Sequence, residues 1–185
     1  MNALVAAALL LITGSHAPRI ALLDLSPRAD ASMPAFRVVR ESLRDELRAK
    51  GFDVVLTQET YDSLRRHDDI ADYYIDISDA AHDAAPEPVS VSVGTRGAGV
   101  EVGAVTGVAS AQVRLFDGRT LDLIHSYDLE HHSSGLAPTA IGTGSRGFFA
   151  SIFIAPIFER AQMRNAARAV ARDAARRIAI DLARP

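Results

Sequence analysis

The chain has 185 residues, 48% of them apolar and 23% charged, with a formal charge of −3 and a pI near 6.0. That size suits one globular domain with a substantial core, and the mild acidity gives no electrostatic reason to expect nucleic acid as a partner. With no cysteine, the chain cannot form disulfides, thiolate metal sites, a cysteine nucleophile or an acylated lipobox.

Met1–Ile12, MNALVAAALLLI, is a continuous apolar run followed by Thr13-Gly14-Ser15-His16-Ala17. Its length fits the apolar region of a secretory leader and falls short of a membrane span. Residues 1–17 are therefore read as a leader, with Ser15 the better small-residue cleavage point, and 18–185 as a single domain exported to the periplasm. A buried first strand or helix is the alternative reading, because no basic residue precedes the run.

Arg19–Leu25 reads as a short buried strand. After Pro27 and Pro34, the apolar residues Phe36, Val39, Leu43 and Leu47 recur at spacings of three and four, which is one face of a helix over Pro34–Lys50. Ser32 is placed to cap it and Gly51 to end it. Phe52–Thr57 follows as a strand, giving a βαβ opening. Gln58–Arg66 reads as a short helix turning Tyr61 and either Leu64 or Arg65 toward the sheet. Ala71–Ser78 reads as a strand with Tyr73, Ile75 and Ile77 on one face, and His82–Pro88 as an Ala/Pro-rich loop.

From Val89 to about Glu130 the pattern is β. Gly94–Gly107 carries five glycines, with a turn expected near Thr95–Ala98, and Val100, Val102, Ala104, Thr106 and Val108 alternating on the return. Glycines at such positions also let another backbone approach closely, so this segment is a candidate for pairing with another subunit. Val113–Tyr127, VRLFDGRTLDLIHSY, alternates apolar and polar residues about Asp117-Gly118, the strongest hairpin signal in the chain. Ser133–Gly147 reads as a small-residue loop. Phe148–Phe158 is apolar nearly all round and interrupted by Pro156. Ala161–Leu182 is a helix with Met163, Ala167, Val170, Ala174, Ile178 and Leu182 along one stripe and Arg164, Arg168, Arg172 and Arg176 opposite. The expected fold is an α/β (α+β) two-layer sandwich: a mixed sheet with a βαβ opening, antiparallel hairpins, and both long helices on one face.

Candidate chemistry is sparse. Gly142-Thr143-Gly144-Ser145-Arg146-Gly147 matches GxGxxG, but it lacks the strand before it and the acidic strand end after it that a dinucleotide site needs. Asp128, Glu130, His131 and His132 form a dense set of potential metal ligands, and on a strand Asp128, Glu130 and His132 share one face while His125 and His131 share the other. A metal-dependent hydrolase built on Asp128–His132 is the alternative function. Ser133 and Ser134 lie near these histidines without a G-x-S-x-G elbow, and His67-Asp68-Asp69 reads as a polar helix end. No catalytic, cofactor-binding or metal-binding residue is assigned. Phe148, Phe149, Ile152 and Phe153 would need burial, an oligomer interface or peripheral contact with a membrane.

Ala71-Asp72-Tyr73 leading into a strand, together with Arg114-Leu115-Phe116-Asp117 and Thr120 at a hairpin, resembles the periplasmic family of curli-secretion channel (CsgG-like) proteins and the TolB amino-terminal domain. In that family's R-L-x-D-x-x-T-G pattern, Leu121 stands here where glycine is expected. The resemblance implies a non-enzymatic accessory or assembly protein of the bacterial envelope. It also implies function through protein partners or self-association, with no cofactor. The curli channel members are lipoproteins, and this chain has no cysteine to acylate.

Overall fold

The structure, a computed structural model, describes residues 17–27, 30–64, 71–95, 98–142 and 151–183, with the backbone alone at 30, 84–95, 98–102, 137–142 and 151–156. Six strands and two long helices follow one another as β1 (Arg19–Leu22), β2 (Asp30–Ala31), α1 (Met33–Ala49), β3 (Asp53–Leu56), β4 (Tyr73–Thr95), β5 (Ala98–Asp117), β6 (Leu123–Gly142) and α2 (Ser151–Leu182). The sheet order is β3-β1-β4-β5-β6, and β2 adds a short pairing to β4. β1 is parallel to β3 and β4, whereas β4, β5 and β6 run antiparallel. This is the expected two-layer α+β architecture, with both helices on one face.

β1 lies between β3 and β4 and is buried on both faces, which is why its sequence is a continuous apolar run. Ile20 and Leu22 join the core under the helices, while Ala21 and Leu23 pack in a second cluster with Leu64, Ala71, Tyr74 and Phe116. Helix α1 buries Phe36, Val39, Leu43 and Leu47, the stripe read from its spacing. Ser32 occupies the N-cap, but its backbone carbonyl, not its hydroxyl, accepts the Phe36 N–H at 2.9 Å. Gly51 ends the helix with φ of 93°, a conformation that costs glycine little. Arg40 and Arg48 lie along the helix and donate to strand carbonyls: Arg40 to Leu22 and Thr57, Arg48 to Val54. These bonds tie α1 to β1, to β3 and to the residue that follows β3.

Several expected boundaries change. Gln58–Arg66 is not a helix over its described part. Thr60–Leu64 makes one turn, through Leu64 N–H to the Thr60 carbonyl, and Tyr61 and Leu64 do face the sheet. His82–Pro88 is not a loop, because β4 continues through it with a register shift between Pro86 and Ser90. Ser133–Gly142 is likewise strand rather than loop, with a second shift near Pro138. Proline removes a ladder donor, so it survives in a sheet at edges and bulges. Pro86 and Pro88 lie on β4 past its pairings with β1 and β2, Pro138 lies on the edge strand β6, and β5 between them has no proline. Pro156 does not end a helix either: α2 begins at Ser151 and runs through it, giving up one backbone hydrogen bond.

Leu43 is fully buried in α1, and Arg37 is exposed on the same helix. Leu43→Ala should lose about 2–5 kcal/mol, and Arg37→Ala should stay within about 0.5 kcal/mol of the parent. Urea unfolding followed by circular dichroism measures both.

Candidate functional site: the three-stranded ribbon

Strands of 23, 20 and 20 residues far exceed the usual five or six. At about 3.3 Å per residue, β5 is roughly 66 Å long, whereas the 17 residues of α1 span only about 25 Å. β1 pairs with β4 from Tyr73 to Ile75, and β2 pairs at Asp79–Ala80. Beyond Ala80, β4 has no second strand partner among the described residues, and β6 has none along its outer side. The result is a three-stranded ribbon with two open edges that leaves the core near Ala80.

Helix α2 lies against the root of this ribbon through small residues. Ala166, Ala167, Val170, Ala171, Ala174, Ala175 and Ile178 are buried, facing Ala109, Ala111 and Val113 of β5 and Tyr127 and Leu129 of β6. A Cβ on Gly107 would stand 2.5 Å from the backbone of Gln162 and Met163, so only glycine fits there. Gln162 also accepts from Ser133 Oγ at 2.7 Å. The buried face of β5 therefore runs Gly103, Val105, Gly107, Ala109, Ala111, Val113, Leu115. The expected Ala104, Thr106 and Val108 set points the other way and is half-buried.

The second anchor is the hairpin. Asp117-Gly118 does not form a two-residue turn. β5 ends at Asp117 and β6 resumes at Leu123, with the Asp117 carboxylate accepting the backbone N–H groups of Arg119 and Thr120 at 2.9 Å each. These bonds hold that carboxyl below the usual range. Gly118 is needed for contact: a Cβ would overlap the Ala71 carbonyl and Asp72, and its N–H donates to the Asp72 carbonyl at 2.8 Å. The left-handed residue is Leu121, φ 59°, whose side chain packs on the cluster of Tyr74 and Phe116. The Ala-Asp-Tyr and Arg-Leu-Phe-Asp segments thus touch each other.

On the face away from the long helices, Arg114 donates through Nε to Asp76 Oδ2 at 3.0 Å and through Nη2 to the same oxygen. Its guanidinium lies over the rings of Tyr61 and Phe116, 4.9 and 5.6 Å away. Asp76 is 0% exposed, and its Oδ1 has no hydrogen-bond partner. Burial pushes this carboxyl up, and Arg114 pulls it back. Next to this pair, Ser78 donates to Gln112 at 2.7 Å and Gln112 to Asp128 at 2.9 Å, forming a polar rung across three strands. The partners of Asp76 and Ser78 lie on β5 and β6, beyond the reach of local spacing.

The strand divides the histidine–carboxylate set. Asp128, Glu130 and His132 face outward, with His132 Nε2 2.9 Å from Glu130 Oε1. His125 and His131 turn toward α2, at 3.8 Å from Asp181 and 3.9 Å from Asp173. Asp128–His132 therefore does not converge, and among the described residues no group of three or more His, Asp or Glu is arranged to hold a metal ion. Tyr127 donates to Asp181 at 2.6 Å, and burial with that bond raises its hydroxyl pKa. Burial would raise Asp173, but hydrogen bonds from Arg177 and Arg176 hold it below the usual carboxylate range. His67-Asp68-Asp69, Thr143–Gly147 of the GxGxxG match, and Phe148 and Phe149 lie outside the described residues, and Ile152 and Phe153 lie in α2 with backbone alone. Ile157 is 64% exposed at the start of that helix, so this end of the apolar run is not core. No described helix is long and apolar enough to cross a membrane.

The chain matches no protein-family model, and comparison with curated proteins finds no match. The curli-secretion or TolB likeness is therefore not shown by these comparisons. Among solved structures, the chain is similar to the minor lipoprotein of Acinetobacter baumannii, with 13% identity and a TM-score of 0.43 over 88% of this chain and 94% of that one. It is similar to rare lipoprotein B of Shewanella oneidensis, with 10% identity and a TM-score of 0.41 over 89% and 93%. The PelC dodecamer from Paraburkholderia phytofirmans gives 14% identity and 0.38 over 85% of each chain. All three scores are too low to carry a role from those proteins to this one.

Two outcomes follow from this geometry. Gly107→Ala should cost about 1–3 kcal/mol by forcing α2 off the ribbon, measured by urea unfolding. In Arg114→Met, burial and the nearby Asp62 charge act on Asp76 without the opposing guanidinium, so its folded-state pKa rises further above the unfolded value of about 3.9. A carboxyl raised on folding adds stability below its unfolded pKa and loses it as pH climbs through the folded pKa. The variant's deficit against the parent should therefore be smaller near about pH 5 than near about pH 8. A deficit independent of pH would show that Asp76 does not carry the effect.

Proposed function

We propose that the chain is a non-enzymatic accessory or assembly protein of the bacterial cell envelope, exported to the periplasm, that works through protein contacts made by the ribbon. The observation that carries this reading is the pair of open strand edges, β4 beyond Ala80 and β6 from Leu123 to Gly142. An unpaired edge presents rows of backbone N–H and C=O groups, a template for adding a strand from a second copy or a partner. Leu136 on β6 is 74% exposed, an apolar side chain where a free edge would favour a polar one. The apolar run Met1–Ile12 with its small-residue flank supports export. The residues behind the curli-secretion and TolB resemblance support a shared scaffold, since Ala71-Asp72 and Gly118 meet at the base of the hairpin.

The test is to shorten the ribbon, replacing Ala85–Thr106 by Asn-Gly, while keeping Gly107 under α2. The shortened protein should keep its core, by circular dichroism and melting, and lose self-association by light scattering or capture of envelope proteins in a pull-down. Unchanged mass and unchanged capture would overturn the role given to the ribbon.

A further inference from the structure

A pocket of about 260 Å³ opens beside the root of the ribbon, between the first turns of α1 and the N-terminal half of α2. Pro34, Ala35 and Val38 form one wall, Met163 and Ala167 the other, and His82 of β4 lies on the floor. Its deep end is apolar, with Ala35 and Ala167 only 1% and 2% exposed. Its mouth is basic, with Arg160 and Arg164 exposed one helical turn apart. Among the described residues no acidic one lines it, although the chain as a whole carries net negative charge.

Three arginines of α2 are paired, and of the other three Arg168 lies outside the pocket. Arg172 pairs with Glu46 at 3.2 Å, and Arg176 and Arg177 both pair with Asp173 at 2.9 Å. Arg160 and Arg164 have no carboxylate within ion-pair distance among the described residues. Two guanidinium groups above an apolar cleft match one kind of molecule: an apolar chain ending in an anion that accepts from both arginines. The volume is small, close to that of about nine water molecules, which admits one short chain and not the paired chains of a phospholipid.

We infer that this pocket binds a free medium-chain fatty acid, with its chain between Ala35 and Ala167 and its carboxylate held by Arg160 and Arg164. The site meets the ribbon only at His82, at the start of the β4 edge, and it needs no strand added to that edge, so its test is independent of the role given to the edges.

The test is isothermal titration of the full chain with decanoate below its micelle concentration, alongside decanol, inorganic phosphate and vesicles of anionic phospholipid. Decanoate should bind saturably, and decanol and phosphate should bind at least about tenfold more weakly, since each lacks half of what the site recognises. Arg160→Gln with Arg164→Gln should weaken decanoate about tenfold or more, and Ala167→Leu should do the same by filling the apolar end. If Ala167→Leu does not fold, Val38→Phe narrows the same cleft from its half-exposed wall. Absence of saturable decanoate binding overturns the inference, as does equal binding of decanol or phosphate. So does wild-type affinity in the arginine pair or in the narrowed pocket. Binding to vesicles without binding to decanoate would mark the arginines as a surface charge patch and also overturn it.

Discussion

The close seating of α2 on the sheet is the contact on which the rest of the molecule depends. Large side chains normally separate a helix from a sheet, but here the contact is made by alanines of α2 over Gly107, Ala109 and Ala111. At that separation, dispersion between many small groups replaces a few large side chains, and a methyl added at Gly107 meets backbone. The closeness also brings polar groups across the gap: Tyr127 to Asp181 and Ser133 to Gln162. These bonds run the length of the interface and hold a 32-residue helix along strands that otherwise have little reason to stop. The ribbon is thus clamped at its root and open at both edges beyond it.

A second close contact sets the angle of the hairpin against the parallel half of the sheet. Gly118 packs on the Ala71 carbonyl and bonds to Asp72, and the Asp72 carboxylate accepts the Arg19 N–H at 2.8 Å. One residue therefore ties the start of β1 and of β4 to the far end of β5. Leu121 takes the left-handed conformation, at a cost of about 1–2 kcal/mol for a residue with a Cβ, because its side chain closes the cluster beneath the hairpin. The position where the related pattern has glycine is the one whose backbone asks for it. The glycine present, at 118, answers a different need. Behind this joint, Arg114 lies over Tyr61 and Phe116 while it bonds to Asp76, so the guanidinium is held by rings as well as by charge.

Much of this was legible in the sequence, and the parts that were not share a cause. The βαβ opening, the α1 stripe and the arginine side of α2 follow from local periodicity, which the core respects. His82–Pro88 and Ser133–Gly142 resisted that reading because their composition is that of a loop. Only the neighbouring β5 supplies the pairing that makes them strands. A register shift between Ile77 and Asp79 moves the buried positions of β4 from odd to even, Ile75 and Ile77 before it, Ala80 after it. No alternation can be followed across such a shift. The pocket was illegible for a simpler reason: Pro34, His82 and Arg160 are far apart in sequence and meet only when α2 folds back.

Proline placement narrows how the ribbon could pair with another strand. Pro86 and Pro88 break the donor row of β4 next to the shift before Ser90, and Pro138 breaks that of β6. The uninterrupted stretches include Ala81–Ala85 and Ser90–Thr95 on one edge and Leu123–Ala137 on the other. The β6 stretch carries Asp128, Glu130, His131 and His132 in its middle, and such charges resist unselective pairing. A strand that adds there must leave those side chains solvated or bring cations of its own. If a strand joins this edge as proposed, the residues that looked like metal ligands in sequence would filter which strand can do so.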